Sequence, residues 1–272
     1  MPGLQNQAQG TRRRARRIHP MDRLHTWVIN LDRAPDRLSR ITAQLQRLHL
    51  PSTRLPAVDA LALTPAQTVA LDEPGYRRLH GKTPVPGELG CYLSHLQVMH
   101  DFLASPAEFA LVLEDDALLH DSLPSVLQAL LRHPARWDMV KLSAVHSGTP
   151  VPVLDLGGGH RLAVMLSRCT GSSAYLLNRR AAAAYAQGLL PMRLPYDHVF
   201  DQGWRFGLKV RLVTPTPCTH DEGVPTTIET APAASRKFHW TRRLAAHRHR
   251  LGVELRRFAH GLQSLVRERR SG

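Results

Sequence analysis

The alternation of apolar and amphipathic segments near the start of the chain constrains the fold most strongly. Residues 24–31 (LHTWVINL) form a short apolar run, which predicts a buried strand. Pro35 follows, and apolar residues then recur at steps of three and four up to residue 48, as in an amphipathic helix with proline in its first turn. Residues 54–58 predict a second short strand. This strand–helix–strand order favours a βαβ unit and therefore a parallel sheet.

The following residues continue the alternation of strands and helices. Two segments rich in proline, glycine or charge, 71–87 and 147–160, are predicted as loops, and the triple glycine at 157–159 lacks the strand–helix context of a dinucleotide-binding loop. Further strands are predicted at 109–113, 137–142, 161–166, 173–177 and 209–213, and helices at 88–103, 122–131, 179–187 and 197–206. The sequence therefore predicts the α/β class, with a mostly parallel sheet flanked by helices.

The net charge of +14 is concentrated at the two ends of the chain. Residues 1–23 carry six arginines and one aspartate, whereas residues 236–272 carry eleven lysines or arginines and two glutamates. We predict a disordered basic arm over 1–22, a folded domain over 23–235, and a basic amphipathic helical tail over 236–272. The folded domain has balanced charge and no recognised nucleic-acid-binding motif, which argues against nucleic acid as the partner.

Cysteine content and hydropathy indicate the compartment. The three cysteines, Cys91, Cys169 and Cys218, are too few and too scattered for a disulfide framework. No apolar run approaches the ~18–20 residues of a membrane span, and no apolar core of a secretory signal follows the first arginines. We therefore expect a cytoplasmic protein. The basic tail is suited to peripheral contact with the anionic inner face of a membrane.

Three adjacent carboxylates, Glu114-Asp115-Asp116, directly follow the apolar run at 109–113. Ligands of open α/β sheets bind beyond the carboxyl ends of the strands. Because adjacent carboxylates repel one another, a cation favours holding them together, and oxygen ligands suit Mg²⁺ or Mn²⁺. Alternation along an extended segment predicts that Glu114 and Asp116 face one way and Asp115 the other. The alternative is a solvated acidic turn that caps the next helix.

A second polar cluster follows the first predicted strand. Asn30, Arg33 and Arg37 lie at the start of the amphipathic helix, where exposed N–H groups and the helix dipole attract anions. The two arginines, four residues apart, are suited to clamping a nucleotide or its phosphates. The alternative is a surface network of ion pairs that contributes little to stability.

Other polar residues carry weaker signals. Ser94 and His95 are neighbours on a predicted helix and do not face each other, which excludes a serine-hydrolase pair. Asp197 is a candidate general base, although a helix N-cap is an equally simple role for it. His220, in a late loop, is a candidate for completing a metal site.

Taken together and in this order, the clusters resemble glycosyltransferase family 25, the group of lipopolysaccharide and lipooligosaccharide galactosyltransferases and their collagen-modifying relatives. The likeness covers roughly residues 24–225, and the two basic ends lie outside it. The matching stretches are WVINLDRAPDRLSRI (27–41), RLPAVDA (54–60), GELGCYLSHLQVM (87–99), ALVLEDDALL (110–119), WDMVKL (137–142), GSSAYLLNRRAAAAY (171–185) and PYDHVFDQGWRFGLKVRLVTP (195–215).

The resemblance implies a GT-A-like, Rossmann-type catalytic domain over 23–235 that transfers a hexose, commonly galactose, from a UDP-sugar with inversion. The acidic motif of the family falls on Glu114, Asp115 and Asp116, and here begins with Glu where many GT-A enzymes have Asp. These residues would hold Mn²⁺ or Mg²⁺, with His220 joining them. The cation neutralises the departing diphosphate.

The resemblance also implies which residues bind substrate. Asp197 is the expected base that accepts the proton of the acceptor hydroxyl, with Asp201 and Glu222 as rivals. The expected acceptor is a lipopolysaccharide, a lipooligosaccharide or another surface glycan, including a lipid-linked one. The expected substrate-binding residues are Asn30, Arg33, Arg37, Asp59, Glu88, Ser94, His95, Lys141 and Gly171.

Two alternatives stand beside this interpretation. One is a binding protein that uses its basic ends on nucleic acid or on an anionic membrane. The other is a catalytically inactive relative of the family, against which the intact acidic triplet argues.

Overall fold

The computed structural model describes residues 20–220 and 238–271. The predicted basic arm lies outside the described residues up to residue 19. Its last residues belong to a 3₁₀ turn, Pro20–Arg23, that leads directly into the first strand. Within the described ranges, no helix combines the length and apolar character needed to cross a bilayer.

Eight of the strands form one central sheet in the order β2-β1-β3-β8-β5-β9-β7-β6, and β4 and β10 pair separately. β7 and β8 run against the direction of the other strands of this sheet. The strands are β1 (Leu24–Asn30), β2 (Thr53–Pro56), β3 (Phe109–Glu114), β4 (Ala117–Leu119), β5 (Met139–Lys141), β6 (Pro150–Gly157), β7 (His160–Met165), β8 (Ala174–Asn178), β9 (Val210–Thr214) and β10 (Cys218–His220).

Helices cover the two faces of the sheet, which confirms the predicted α/β class with a mostly parallel sheet and is consistent with a GT-A-like fold. The helices are α1 (Pro35–Arg47), α2 (Pro65–Thr68), α3 (Glu73–His80), α4 (Pro86–Ala104), α5 (Leu123–Arg132), α6 (Arg179–Gly188), α7 (Gly203–Phe206) and α8 (Leu244–Ser271).

The predicted βαβ unit is present and sets the position of the polar clusters. β1 pairs in parallel with both β2 and β3, and Ile29 lies opposite Glu114. The buried side chains of α1, Ile41 and Leu45, pack beneath this part of the sheet. The carboxyl ends of β1 and β3 therefore meet at one edge, where Asn30 and the acidic residues follow the strands.

The core has two layers, one on each face of the sheet. Along β3, Ala110 and Val112 belong to the layer that contains the apolar residues of α4 and α6. Leu111 and Leu113, which point the other way, belong to the layer that contains the residues of α1 and α5. A strand buried on both faces reads as a continuous apolar run, which explains why 109–113 shows no alternation.

Both predicted loops contain regular structure. In the segment 71–87, α3 begins where the Asp72 carboxylate accepts a hydrogen bond from the backbone N–H of Gly75 (2.9 Å), and it ends at Gly81, whose φ of 74° is left-handed. In the segment 147–160, β6 and β7 form a hairpin, and its turn is the triple glycine at 157–159 with positive φ throughout. Local capping and glycine turns, rather than apolar periodicity, determine these elements.

The helix predicted over 197–206 is wrong. The chain forms a 3₁₀ turn at Tyr196–His198 and only the short α7 further on. Phe200 stacks on Tyr196 with ring centroids 4.7 Å apart, and Asp201 turns inward to a buried arginine. Tertiary packing therefore overrides the local helical pattern.

The predicted basic tail is helical, and the helix docks on the body of the protein. Arg257 of α8 is buried and donates to both carboxylate oxygens of Asp201, at 2.8 and 3.1 Å. Further along, Glu268 accepts from Arg211 at 2.7 Å and pairs with Arg136 at 2.6 Å. The face of α8 that meets the body thus carries buried ion pairs, together with small buried residues such as Ala246 and Gly261.

We predict that the Arg257–Asp201 pair anchors α8. Replacing Arg257 by Ala leaves the Asp201 carboxylate buried without a partner, which should lower the free energy of unfolding by about 3–5 kcal/mol. The adjacent residue, Arg256, is exposed and provides the control. Replacing Arg256 by Ala should change the free energy of unfolding by less than about 0.5 kcal/mol. Urea unfolding followed by circular dichroism measures both, and equal stabilities of the two variants would contradict the anchor.

Candidate functional site

Two cavities lie side by side at the carboxyl ends of β1 and β3, with volumes of about 540 and 80 Å³. Both are lined by Cys91, Glu114 and Asp116, so these residues form the wall between them. The smaller cavity opens beside β1 and α4, and the larger one reaches the turn at Tyr196–His198 and α8. This is the edge where ligands of open α/β sheets bind.

The acidic triplet forms the tight connection between β3 and β4. Glu114 is the last residue of β3, and Asp115 and Asp116 form the turn before β4. Glu114 and Asp116 line both cavities, whereas Asp115 lines only the smaller one. The triplet is therefore built into the cavity wall, unlike the solvated helix cap that was its alternative.

One arginine and one asparagine hold the turn. Arg37 places Nη2 2.5 Å from Asp115 Oδ1 and 3.2 Å from Asp116 Oδ2. The Asn30 amide donates to Asp115 Oδ2 (2.7 Å) and to the Ala34 carbonyl (2.9 Å). Asp115 is thus fully engaged by protein groups, which leaves Glu114 and Asp116 to face a ligand.

The carboxylates differ in their environments. Burial, together with the neighbouring Glu114 carboxylate, raises the pKa of Asp116 to about 7. Burial also acts to raise the pKa of Glu114, but hydrogen bonds from His95 and Ser172 outweigh it and lower that pKa. Ser172 Oγ donates to Glu114 Oε1 at 2.7 Å. Glu114 is therefore held as a carboxylate at neutral pH, with Asp116 beside it at the same wall.

The donor set at this wall fits a hard divalent cation. Asp116 Oδ1 is buried and has no hydrogen-bond partner among the described residues, an arrangement that costs free energy unless a cation or donor occupies it. His220 lines the larger cavity, and because β10 pairs with β4, it lies opposite Ala117, next to Asp116. Carboxylate oxygens with one imidazole are ligands that Mn²⁺ and Mg²⁺ accept.

A second group of residues also carries atoms that can bind a metal. The ligand atoms of Cys91, His95 and Glu114 all lie within 4.8 Å of one another. Its histidine is already engaged on both sides, with Nδ1 2.9 Å from the Tyr175 hydroxyl and Nε2 3.3 Å from Glu114. The His95 ring also stacks on Tyr196 at 4.1 Å. Burial and nearby carboxylates raise the pKa of the Cys91 thiol, which keeps it protonated. His95 therefore orients Glu114 rather than binding a metal.

The cluster after β1 lines the smaller cavity. Asn30, Arg33 and Arg37 all contribute to its wall. Arg33 forms an ion pair with Asp59, which also accepts from the Leu61 N–H (2.9 Å) and so caps a 3₁₀ turn. Arg33 and Asp59 are partly exposed, so this pair contributes little stability, whereas Arg37 is only 12% exposed and faces the acidic turn.

Three further predicted positions line the cavities and also hold the backbone. Ser94 Oγ accepts from the Val58 N–H (2.8 Å) and lines the smaller cavity. Glu88 lines the larger cavity and caps α4 by accepting from the Val85 N–H (3.1 Å). Gly171 lines the larger cavity with a φ of 97°, and a Cβ there would lie 3.1 Å from the Val145 nitrogen. Glycine is required at this position by both conformation and space.

Asp197 lies in the larger cavity. Its Oδ2 accepts from the Gly171 N–H at 3.3 Å, and its side chain makes no helix-capping hydrogen bond. Burial raises the pKa of this carboxyl, although nearby Lys141 acts to lower it. A partly desolvated carboxylate that faces a cavity has the properties of a general base.

Two of the remaining predicted residues, Asp201 and Lys141, do not line either cavity. Both carboxylate oxygens of Asp201 accept hydrogen bonds from Arg257, so we do not propose Asp201 as the base. Lys141 is fully buried, donates to the Cys169 carbonyl (2.9 Å) and lies over the Phe200 ring, which makes it a core residue. Glu222 lies outside the described residues.

Several residues that line the larger cavity are not among the site residues that the sequence predicts. Ser172 and His198 sit beside predicted residues in the stretches GSSAY and PYDH, so their neighbourhood was a usable signal. Arg243 and Arg250 belong to the basic tail, whose helical spacing does not reveal that it reaches the cavity. The assignment of the tail's charge to a separate surface was therefore incomplete.

The comparison with known families concerns the half of the chain that carries the acidic turn. Residues 23–149 match the sequence model of glycosyltransferase family 25 (LPS biosynthesis protein). Over these residues the chain is similar to glycosyltransferase family 25. The matched segment includes β1, α1, α4 and the Glu114-Asp115-Asp116 turn, so the resemblance read from the sequence is confirmed.

Some of the curated relatives are named as galactosyltransferases, and others are named as inactive members of the family. Procollagen galactosyltransferase 1 of Danio rerio is 31% identical over 122 residues, which are 42% of this chain and 20% of that protein. Procollagen galactosyltransferase 2 of Homo sapiens is 34% identical over 109 residues, 39% of this chain and 17% of that protein. The inactive glycosyltransferase 25 family member 3 of Homo sapiens is 31% identical over 124 residues, 43% and 21% of the two chains. The chain thus spans about a fifth of the length of these relatives.

Proposed function

We propose that this protein is an inverting glycosyltransferase that moves a hexose from a UDP-sugar to a hydroxyl group of a glycan acceptor. The observation that carries the proposal is the position of Glu114 and Asp116 in the wall between the two cavities. A donor that spans this wall would have its diphosphate beside the carboxylates and its sugar facing the larger cavity.

The proposed cation site consists of Glu114, Asp116 and His220. The buried, unpartnered Asp116 Oδ1 supports it, and so does the pairing of β10 with β4 beside the acidic turn. Mn²⁺ or Mg²⁺ bound there would neutralise negative charge on the departing diphosphate. Asp115, engaged by Asn30 and Arg37, acts as the residue that fixes the turn.

We assign the acceptor to the larger cavity and one end of the nucleotide to the smaller one, whose volume of about 80 Å³ is too small to enclose a whole nucleotide. Asn30, Arg33 and Arg37 would hold the nucleotide at the helix N-terminus, where N–H groups and arginines favour anions. Asp197 would accept the proton of the acceptor hydroxyl. As that oxygen bonds to the anomeric carbon, the bond from this carbon to the diphosphate oxygen breaks on the opposite face, which gives inversion.

The sugar and acceptor are proposed from the comparisons. The relatives named procollagen galactosyltransferases support galactose as the hexose. The family description as an LPS biosynthesis protein supports a lipopolysaccharide, a lipooligosaccharide or a related surface glycan, in lipid-linked form, as the acceptor. A cytoplasmic site of action, in keeping with the three free cysteines, belongs to this proposal.

The outward face of α8 supports peripheral membrane contact. Its apolar residues lie opposite the docked polar face and are between 44% (Leu262) and 63% (Leu251) exposed. Exposed arginines flank them, whereas Glu268 points inward to Arg136 and Arg211. An apolar stripe bordered by arginines complements an anionic bilayer surface. The stripe consists of Leu244, Leu251, Leu255, Phe258, Leu262 and Val266.

Substitution of Asp116 tests the proposed reaction. With Mn²⁺ and UDP-galactose, Asp116→Asn should reduce UDP release at least about 100-fold, since it removes a charge from the cation site. The matched control is Asp121→Asn, an exposed aspartate just after β4, which should keep wild-type activity. If the wild type binds UDP-galactose without turnover, the chain is an inactive member of the family; if it binds no UDP-sugar, the proposal fails.

Vesicle binding tests the membrane contact. The triple variant Leu251→Ser, Leu255→Ser, Phe258→Ser should lose most of its binding to phosphatidylglycerol vesicles in a sedimentation assay, because the apolar stripe no longer inserts. The control, Leu61→Ser with Val69→Ser, removes apolar residues that are 79% exposed elsewhere and should bind as the wild type does. Self-association that depends on the stripe, without vesicle binding, would instead identify a second copy as its occupant.

A further inference from the structure

The larger cavity is lined by a cluster of arginine and histidine side chains in addition to the carboxylates already described. We define this basic cluster as His80, Arg168, His198, Arg243 and Arg250, all of which line the cavity. They come from four separate parts of the chain: the end of α3, the segment between β7 and β8, the Tyr196–His198 turn, and α8 with the 3₁₀ turn before it, Trp240–Arg243. The proposed transfer reaction assigns none of them a role.

Contacts within the basic cluster fix its geometry. Arg168 Nη2 lies 2.5 Å from His198 Nε2, and the rings of His198 and His80 meet edge to face with centroids 5.1 Å apart. Arg250 Nη2 donates to the His80 carbonyl at 3.1 Å. The side chains are therefore held in place by one another rather than extended into solvent.

Close packing of α8 on the end of α3 brings the two tail arginines to the cavity. Gly81 has a φ of 74°, and a Cβ there would lie 3.1 Å from the Ala246 Cβ and 3.2 Å from the Arg243 Cγ. The Phe238 N–H also donates to the Gly81 carbonyl at 3.3 Å. The buried Arg257–Asp201 pair holds the next turns of the helix. Docking of α8 thus completes the cavity wall.

Among the described residues, one carboxylate lies close to the basic cluster: Asp197 Oδ1 is 3.9 Å from His198 Nε2. Within residues 20–220 and 238–271, no carboxylate forms an ion pair with Arg168, Arg243 or Arg250. Burial and the surrounding cations lower the pKa of His80 to about 2 and that of His198 to about 3. Burial, Arg243 and Arg168 likewise lower the pKa of Arg250. Such mutual repulsion favours an anion among these groups.

Two atoms of the basic cluster lack partners. His80 is 3% exposed, and its Nδ1 has no hydrogen-bond partner among the described residues. The Nε of Arg243 is buried and likewise unpartnered. Buried polar atoms are normally satisfied, so both atoms show hydrogen-bonding capacity that the described residues leave unmet beside the cavity.

We propose that the basic cluster is a phosphate-binding subsite of the larger cavity. Planar guanidinium groups bind phosphate oxygens through paired hydrogen bonds, and uncharged histidines supply further hydrogen bonds without adding charge. The ligand group is a phosphate of a substrate. Its source is either the diphosphate of the sugar donor or a phosphate carried by the acceptor, and this assignment to a substrate rests on the proposed function.

The test is pyrophosphate binding to the full chain, measured by titration calorimetry without turnover. Arg250→Gln and Arg168→Gln should each weaken binding about tenfold, the effect of losing one charge-assisted contact. Arg248→Gln, an exposed arginine on the same helix, is the matched control and should bind as the wild type does. Arg250→Lys should recover part of the loss, and thermal melts verify that each variant is folded.

A second titration identifies the source of the phosphate. If pyrophosphate still binds to protein saturated with UDP and Mn²⁺, the subsite serves a phosphorylated acceptor. If UDP blocks pyrophosphate, and Arg250→Gln weakens UDP binding equally, the subsite serves the donor. The proposal is overturned if the wild type does not bind pyrophosphate, or if binding survives both arginine variants. Because activity is not measured, an inactive chain would refute the transferase proposal and leave this result intact.

Discussion

The site depends on holding three adjacent carboxylates together at the end of β3. Their repulsion is countered by Arg37 on one side and by hydrogen bonds from Asn30 and Ser172 on the others. These partners come from the βαβ unit and from the residues before β8, so the stability of the turn depends on the assembled sheet. Asp116 Oδ1 is left without a protein partner, and this is what makes the turn a cation site in our proposal.

The larger cavity also depends on α8, which contacts the body of the protein through polar side chains. Arg257 and Glu268 make buried or half-buried ion pairs, and the apolar residues of the helix face outward. The same docking carries Arg243 and Arg250 into the larger cavity. One helix thereby links the cavity to the surface that we propose contacts a membrane. A lipid-linked acceptor with a phosphate near its reacting sugar would satisfy both features at once.

The sequence predicts the βαβ unit and the α/β class because local apolar patterns determine them. It predicts the acidic turn because the three carboxylates directly follow an apolar run. It does not predict α3, which depends on the Asp72 cap and Gly81, or β4 and β10, which are three residues each. The sequence does not show that Asp201 and Lys141 are buried, because charge alone does not reveal burial. Arg250 could not be found, since its place in the cavity follows from the packing of distant segments.

In our proposal, Glu114 and Asp116 would hold a divalent cation, which would supply positive charge to the diphosphate of the donor. The most direct measurement is the affinity for UDP with and without Mn²⁺, in the wild type and in Asp116→Asn. We expect Mn²⁺ to strengthen UDP binding at least about tenfold in the wild type and to have no effect on UDP binding in the variant. An affinity for UDP that does not respond to Mn²⁺ in the wild type would contradict it.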